Sequence, residues 1–134
     1  FLGALLGLGL IVVSNMTAVS VWYLATLVFY PVADLAFSMV RRAAVGRAPF
    51  SADDEHLHNL LFMALKQRMA APKYANTLTG LLIVGTFSGS TALIYGFELI
   101  APQSDAWLAI LVLFWCIYVL SWRELHKRRV KVAL

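Results

Sequence analysis

The sequence predicts an all-α integral membrane protein, with about four transmembrane helices and a cytoplasmic amphipathic helix. Three observations carry this. The 134 residues are 61% hydrophobic and 13% charged, with mean hydropathy +0.78, whereas soluble domains are about 45–50% apolar and about 25% charged. Long apolar runs recur at the length needed to cross a bilayer, about 20 residues for about 30 Å. All eleven Lys and Arg residues lie outside those runs, in places that one threading puts on a single side. An excess of Lys and Arg in cytoplasmic loops sets the orientation of such proteins.

The crossings follow in order. Residues 1–13 are wholly apolar but short, and lack the basic start of a signal peptide. They read as a truncated helix, so the chain is expected to be the C-terminal portion of one larger polytopic domain, with further helices before Phe1. A turn at Ser14-Asn15 is external. Residues 17–39 form the second crossing. Residues 41–74 form a cytoplasmic loop with Arg41, Arg42, Arg47, Lys66, Arg68 and Lys73. Residues 77–97 and 106–122 are the last two crossings, joined by an external link with Glu98 and Asp105. Residues 123–134 form a cytoplasmic tail with the other five cations. Trp107 and Trp122 bracket the last crossing and suit an interfacial belt. The glycines in the first and third apolar runs read either as close helix contacts or as ordinary membrane-helix usage. The positive charge suits anionic lipid headgroups rather than nucleic acid. Cys116 sits in an apolar run and reads as a small buried residue.

The long loop is the place for chemistry. Gly46 can turn the chain without strain, and Pro49 pushes Ala48 out of helix. Ser51 reads as an N-cap with Asp54 in capping-box position. A helix over 52–70 then presents Leu57, Leu60, Leu61, Ala64 and Leu65 as one stripe and stops at Ala71-Pro72. It is expected either along the inner membrane face or as a solvated connector. His56 and His58 on that helix would be about 200° apart, and so could not share a metal as an i, i+4 pair does. They read either as phosphate ligands at a helix N-terminus or as two surface histidines. Asp34 stands inside an apolar run, where an ionisable group suggests a function or a buried partner. Arg41 or Arg42 is a candidate to reach back to it, and a substrate-site carboxylate is the other reading.

The string Pro31-x-x-Asp34, Arg41-Arg42, Gly46-Arg47-x-Pro49-Phe50, Asp53 and His56-Leu57-His58-Asn59 resembles the polyprenyl-phosphate sugar-1-phosphate transferases. Their last cytoplasmic loop carries R-R, G-x-S-P-F, D-R and H-[IL]-H-H. The resemblance implies transfer of a sugar-1-phosphate from a UDP-sugar, such as UDP-N-acetylglucosamine, to undecaprenyl phosphate. UMP is released, Mg²⁺ is required, and cell-envelope polysaccharide synthesis begins at a bacterial cytoplasmic membrane. It implies catalytic roles for Arg42, His56 and His58, and substrate contacts for Arg41, Arg47, Asn59 and Asp34. Such chemistry rests on positioning and charge stabilisation, for which Arg offers a fork of donors. Asn59 replaces a histidine of the pattern and Asp54 an arginine, so two cations are missing. The family's Asp-rich Mg²⁺ motifs have no counterpart here. No metal ligand is assigned, the Mg²⁺ ligands are expected upstream, and the chain alone is expected to be inactive. The reading of a different class is a non-enzymatic scaffold or transporter subunit, whose amphipathic helix docks a partner.

Overall fold

Pro31 decides the shape of the first half. Proline has no N–H for the carbonyl four residues back, and its ring collides with that carbonyl. In the computed structural model, which describes residues 2–48 and 53–133 and the side chains of 7–48 and 53–129, the expected single crossing over 17–39 is two helices. These are α2 (Val21–Leu27) and α3 (Phe29–Ala44), bent by 80° at Val28. The carbonyl that Pro31 cannot serve belongs to Leu27, the last residue of α2. Before them, α1 (Leu2–Met16) runs through the expected Ser14-Asn15 turn, and the chain turns over 17–20 instead. There the Ser20 hydroxyl accepts the Trp22 N–H at 3.3 Å and caps α2.

The end of α3 follows a sequence-legible rule. Gly46 sits at φ +70, with its N–H donating to Ala43 O at 3.1 Å and the Arg47 N–H donating to Arg42 O at 2.9 Å. This is the Schellman closure, in which a left-handed residue lets two trailing N–H groups satisfy helix-end carbonyls. Pro49, Ser51 with its expected capping box to Asp54, and the first residue of the expected 52–70 helix fall on residues 49–52, outside the described residues. Helix α4 (Leu57–Arg68) starts later, with extended His56 as its N-cap residue. Residues 53–56 are a non-helical strap, because their acids bind Arg41 rather than the first turn of a helix. The stripe of α4 faces inward: Leu57 and Leu60 are buried, and the helix packs on the two long apolar elements that follow it.

The first of those is continuous over Pro72–Gly96, beginning five residues before the expected 77. A 3₁₀ turn (Pro72–Tyr74) leads into α5 (Ala75–Val84), a π-helical turn (Gly85–Gly89) and α6 (Ser90–Gly96). Ala75, Thr79, Ile83, Phe87 and Thr91 are all buried. A strict spacing of four drifts by about 40° per step on an α-helix with 3.6 residues per turn. The π turn, with its wider i→i+5 bonding, opposes this drift where Phe87 must enter the core. The α6 helix closes on Glu98 at φ 53, with Glu98 N–H to Tyr95 O and Leu99 N–H to Ile94 O, both 3.0 Å.

The last element, α7 (Trp107–Ala133), absorbs the expected tail as continued helix. Trp107 is fully buried and donates to Ala101 O at 2.9 Å, and Trp122 donates to Glu55 O at 2.8 Å. Both indoles are thus tied into the protein instead of forming a belt on its surface. The described glycines of the apolar runs meet no neighbouring helix: a Cβ at Gly7, Gly9, Gly80, Gly85 or Gly96 would touch nothing within 4 Å. Cys116 is exposed.

The described residues are predominantly helical, and no strand occurs among them. Two helices, Pro72–Gly96 and Trp107–Arg129, are long and apolar enough to cross a membrane, or three if the bent α2–α3 pair is one span. Both leave most of their apolar surface outward, with Leu81, Val84, Leu93, Val112 and Leu120 more than half exposed. The inward faces meet in an aromatic core where Phe29 touches Phe87 and Phe114, with ring centres 5.1 and 5.5 Å apart.

Candidate functional site

The buried face of α3 carries Asp34, Ser38 and Arg42 one turn apart, with Arg41 beside them. Spacings of three and four put side chains on one helix face, so these groups form a polar ladder leading away from the aromatic core. Each rung has a different partner.

Asp34 is the hub, and it is almost wholly buried. Its Oδ1 accepts the Tyr118 hydroxyl at 2.7 Å and the Leu57 N–H at 3.1 Å. Its Oδ2 lies 2.7 Å from His56 Nδ1 and 3.9 Å from His58 Nδ1. Asp34 therefore serves α4 as a long-range N-cap, satisfying the first N–H of a helix whose own N-cap residue offers no side-chain bond. The negative charge also sits at the positive end of the α4 dipole. Neither arginine forms the ion pair expected with Asp34; both turn to the 53–55 strap instead.

The helical reading of the two histidines also changes. Because His56 is extended and only His58 is helical, their rings are not on opposite faces. They stack with centres 5.6 Å apart and 18° between planes. His56 Nδ1 is within hydrogen-bond distance of Asp34 Oδ2, whereas His58 Nδ1 is in ion-pair range only. Ser38 Oγ lies 3.2 Å from His56 Nδ1, and the Tyr30 hydroxyl lies 3.2 Å from His58 Nδ1. A carboxylate only accepts, so Asp34 holds the hydrogen on His56 Nδ1 and leaves Nε2 as the nitrogen available to a ligand. A second group that fixes tautomer and ring direction is how proteins aim an imidazole. The His56 side chain is 25% exposed and that of His58 is 49%, so the stacked pair reaches the surface from a buried anchor.

One turn on, Arg41 joins Asp53 and Glu55, and its guanidinium lies 5.3 Å from the Trp122 ring centre. Arg42 is buried, with Nε donating to Ser38 O at 3.0 Å and lying 4.0 Å from Asp53. Burial alone would raise the Asp53 carboxyl; the Glu55 N–H and Arg41 outweigh it and hold Asp53 below the usual carboxylate range. His126 stacks on Trp122 at 4.7 Å, with Nδ1 3.9 Å from Glu55. The strap 53–56 is thus clamped between α3 and α7, and it delivers His56 to Asp34.

Of the residues singled out from sequence, the structure brings together Asp34, His56 and His58, with Arg41 and Arg42 beside them on α3. Arg47 is exposed beyond the α3 cap, and Asn59 lines a separate cavity on the other side of α4. Sequence reasoning missed Tyr30, Ser38, Glu55, Tyr118 and His126, and it named Asp53 and Trp122 without a role at this site. The acids offered a signal, since negative side chains twelve and fourteen residues after Arg41 are natural partners for it. Tyr118 offered none, as it stands 84 residues from Asp34 in an apolar run.

Magnesium is a hard cation that takes an octahedron of oxygens, usually with one or two carboxylates and several waters. The carboxylates here are already engaged: Asp34 by donors on both oxygens, and Asp53 and Glu55 by Arg41. No group of three His, Cys, Asp or Glu residues converges as a metal site among the described residues. The residues present do not fit the ion, and no step is derived through it.

Fold and cluster together define a helical chain with membrane-length apolar helices and a carboxylate–imidazole centre at their basic end. Family models, curated proteins and solved structures give no match to it.

Proposed function

We propose that this chain forms part of a membrane transferase that moves a sugar-1-phosphate from a UDP-sugar to a polyprenyl phosphate. One observation supports this best: Asp34 aims two stacked imidazoles outward at the end of the helices where the arginines gather. The loop pattern that resembles the transferases supplies those same residues. In this reading His56 and His58 meet the diphosphate or the lipid phosphate through Nε2 as imidazolium rings, which carry hydrogens on both nitrogens and so can donate to oxygens whose charge grows during transfer. Asp34, Ser38 and Tyr30 are positioning residues. Arg41 and Arg42 hold the strap and contribute positive potential.

In this reading the basic end of the helices faces the cytoplasm at a bacterial inner membrane, where nucleotide sugars are found, and the general excess of positive charge in cytoplasmic loops supports that orientation. The Mg²⁺ ligands of such an enzyme come from residues outside this chain. The test is UMP release from UDP-N-acetylglucosamine by membranes carrying the protein that contains this chain, with Mg²⁺ and undecaprenyl phosphate added. His56→Ala is expected to lower turnover about 10-fold or more, in line with the loss of one positioned acid–base group. Wild-type turnover at equal expression would remove His56 from the site. A wild-type protein without UMP release would end the transferase reading.

A further inference from the structure

Two cavities meet at the basic end of α7. One, of about 320 Å³, is a half-open groove between α4, the α5–π segment and α7. Its walls are apolar, with Leu61, Ile83, Phe87, Ile117 and Leu125, and its mouth carries Glu124 and Arg128. The other, of about 700 Å³, lies beside α4 and has three arginines on its wall, Arg68, Arg128 and Arg129, against one acid, Asp54. Leu125 and Arg128 line both, so the slot adjoins a chamber that carries three arginines.

From Ile117 to Arg128, α7 rises about 16 Å at 1.5 Å per residue, so the slot's inner part lies along the apolar run and its outer part among the basic residues that follow it. Tyr118 is turned about 100° from Ile117 and faces Asp34. The slot is therefore on a different side of α7 from the Asp34–histidine cluster.

We infer that slot and chamber together bind one anionic phospholipid, with an acyl chain along α7 and the phosphate against Arg128 and Arg129. Apolar walls exclude a free phosphate from the slot, and the excess of arginine over acid favours an anionic headgroup over a zwitterionic one. Glu124 stands at the mouth and would repel a phosphate. Arg128 neutralises it through Nε at 2.9 Å, and a guanidinium keeps further donors on its other nitrogens. Arg129 is held near the Asp54 carbonyl at 3.4 Å, which ties the chamber to the strap that carries His56. This inference rests on the membrane placement proposed above and not on the transfer chemistry.

The experiment is native mass spectrometry of the purified full chain with phosphatidylglycerol or phosphatidylcholine of matched acyl chains. One phosphatidylglycerol should remain bound under conditions that strip phosphatidylcholine. R128Q and R129Q should each weaken it about 5-fold, and the pair about 30-fold, at about 1 kcal/mol per cation near a membrane surface. E124Q should tighten it. K127Q, an exposed cation lining neither cavity, should leave it unchanged. Glycerol phosphate should not displace the lipid. Equal retention of the two lipids, an unaffected double variant or displacement by glycerol phosphate would each overturn the inference. Binding of neither lipid would overturn it as well.

Discussion

Removing the Asp34 carboxylate should separate stability from chemistry at this centre. Asp34→Ala strands two buried neutral donors, the Tyr118 hydroxyl and the Leu57 N–H. A buried donor without a partner costs about 1–3 kcal/mol, so the variant should lose about 2–6 kcal/mol of stability. His56, a quarter exposed, can turn to water and adds little. Asp34→Asn keeps the volume and an oxygen that accepts from both donors, so its loss should be nearer 1 kcal/mol. It places an amide N–H₂ against His56 Nδ1, however, and an amide nitrogen only donates. The imidazole must then present a lone pair on Nδ1 and carry its hydrogen on Nε2. Unfolding in detergent, followed by helical circular dichroism, measures the first effect, and nitrogen-15 chemical shifts of the His56 ring measure the second. The reasoning is refuted if Asp34→Ala stays within 1 kcal/mol of wild type, if Asn is as damaging as Ala, or if the tautomer is the same in both proteins.

Three further outcomes are expected. Pro31→Ala restores an N–H to the Leu27 carbonyl and should relax the 80° bend; spin labels at exposed positions 21 and 40 should move apart from about 22 Å towards about 28 Å, the rise of a straight helix, and an unchanged distance would assign the bend to packing. Glu98 holds a left-handed φ of 53 that costs an L-residue about 1–2 kcal/mol, so Glu98→Gly should raise stability by about 0.5–1 kcal/mol, while Gly46→Ala at φ +70 should lower it by about 1 kcal/mol; effects of opposite sign at either site would contradict the cap assignments. The Asp53 carboxyl is held below its unfolded value of about 3.9, so its stabilisation is present above that pH and fades as pH falls through the lower folded value; Asp53→Asn should melt below wild type at pH 7, with the gap closing towards pH 3, and a gap constant with pH would show that the charge is not what matters.

Composition and apolar periodicity reach far into this fold, because burial in lipid and burial in protein both require runs of apolar side chains. The crossings expected over 77–97 and 106–122 and the apolar stripe of α4 were legible for that reason, though the helices extend to 72–96 and 107–129 and the stripe packs on protein; the Gly46 stop was legible from glycine's backbone freedom. Pro31 carried a signal that the reading of 17–39 as one crossing passed over, since a proline inside a helical pattern breaks it at the preceding turn and the apolar length of the run masks this. The start of α4 was not legible. Asp53 and Asp54 fit a first helical turn by local preference, and the choice went to Arg41, which binds Asp53 and Glu55 in a strap. The histidine geometry failed with it, since helical spacing governs only residues that are both in the helix. What the sequence pattern held was the set Asp34, His56 and His58; what it lacked was the carboxylate's other partners, drawn from a helix 84 residues away.

That last separation also orders the birth of the site in time. At about 5–20 residues per second, a ribosome adds Tyr118 roughly 4–17 s after Asp34. Until then the Asp34 carboxylate lacks its closest hydroxyl donor, and the strap lacks the Trp122 indole that grips Glu55 O. The stacked histidines therefore become aimed only once α7 has entered, seconds after Asp34 itself has been made.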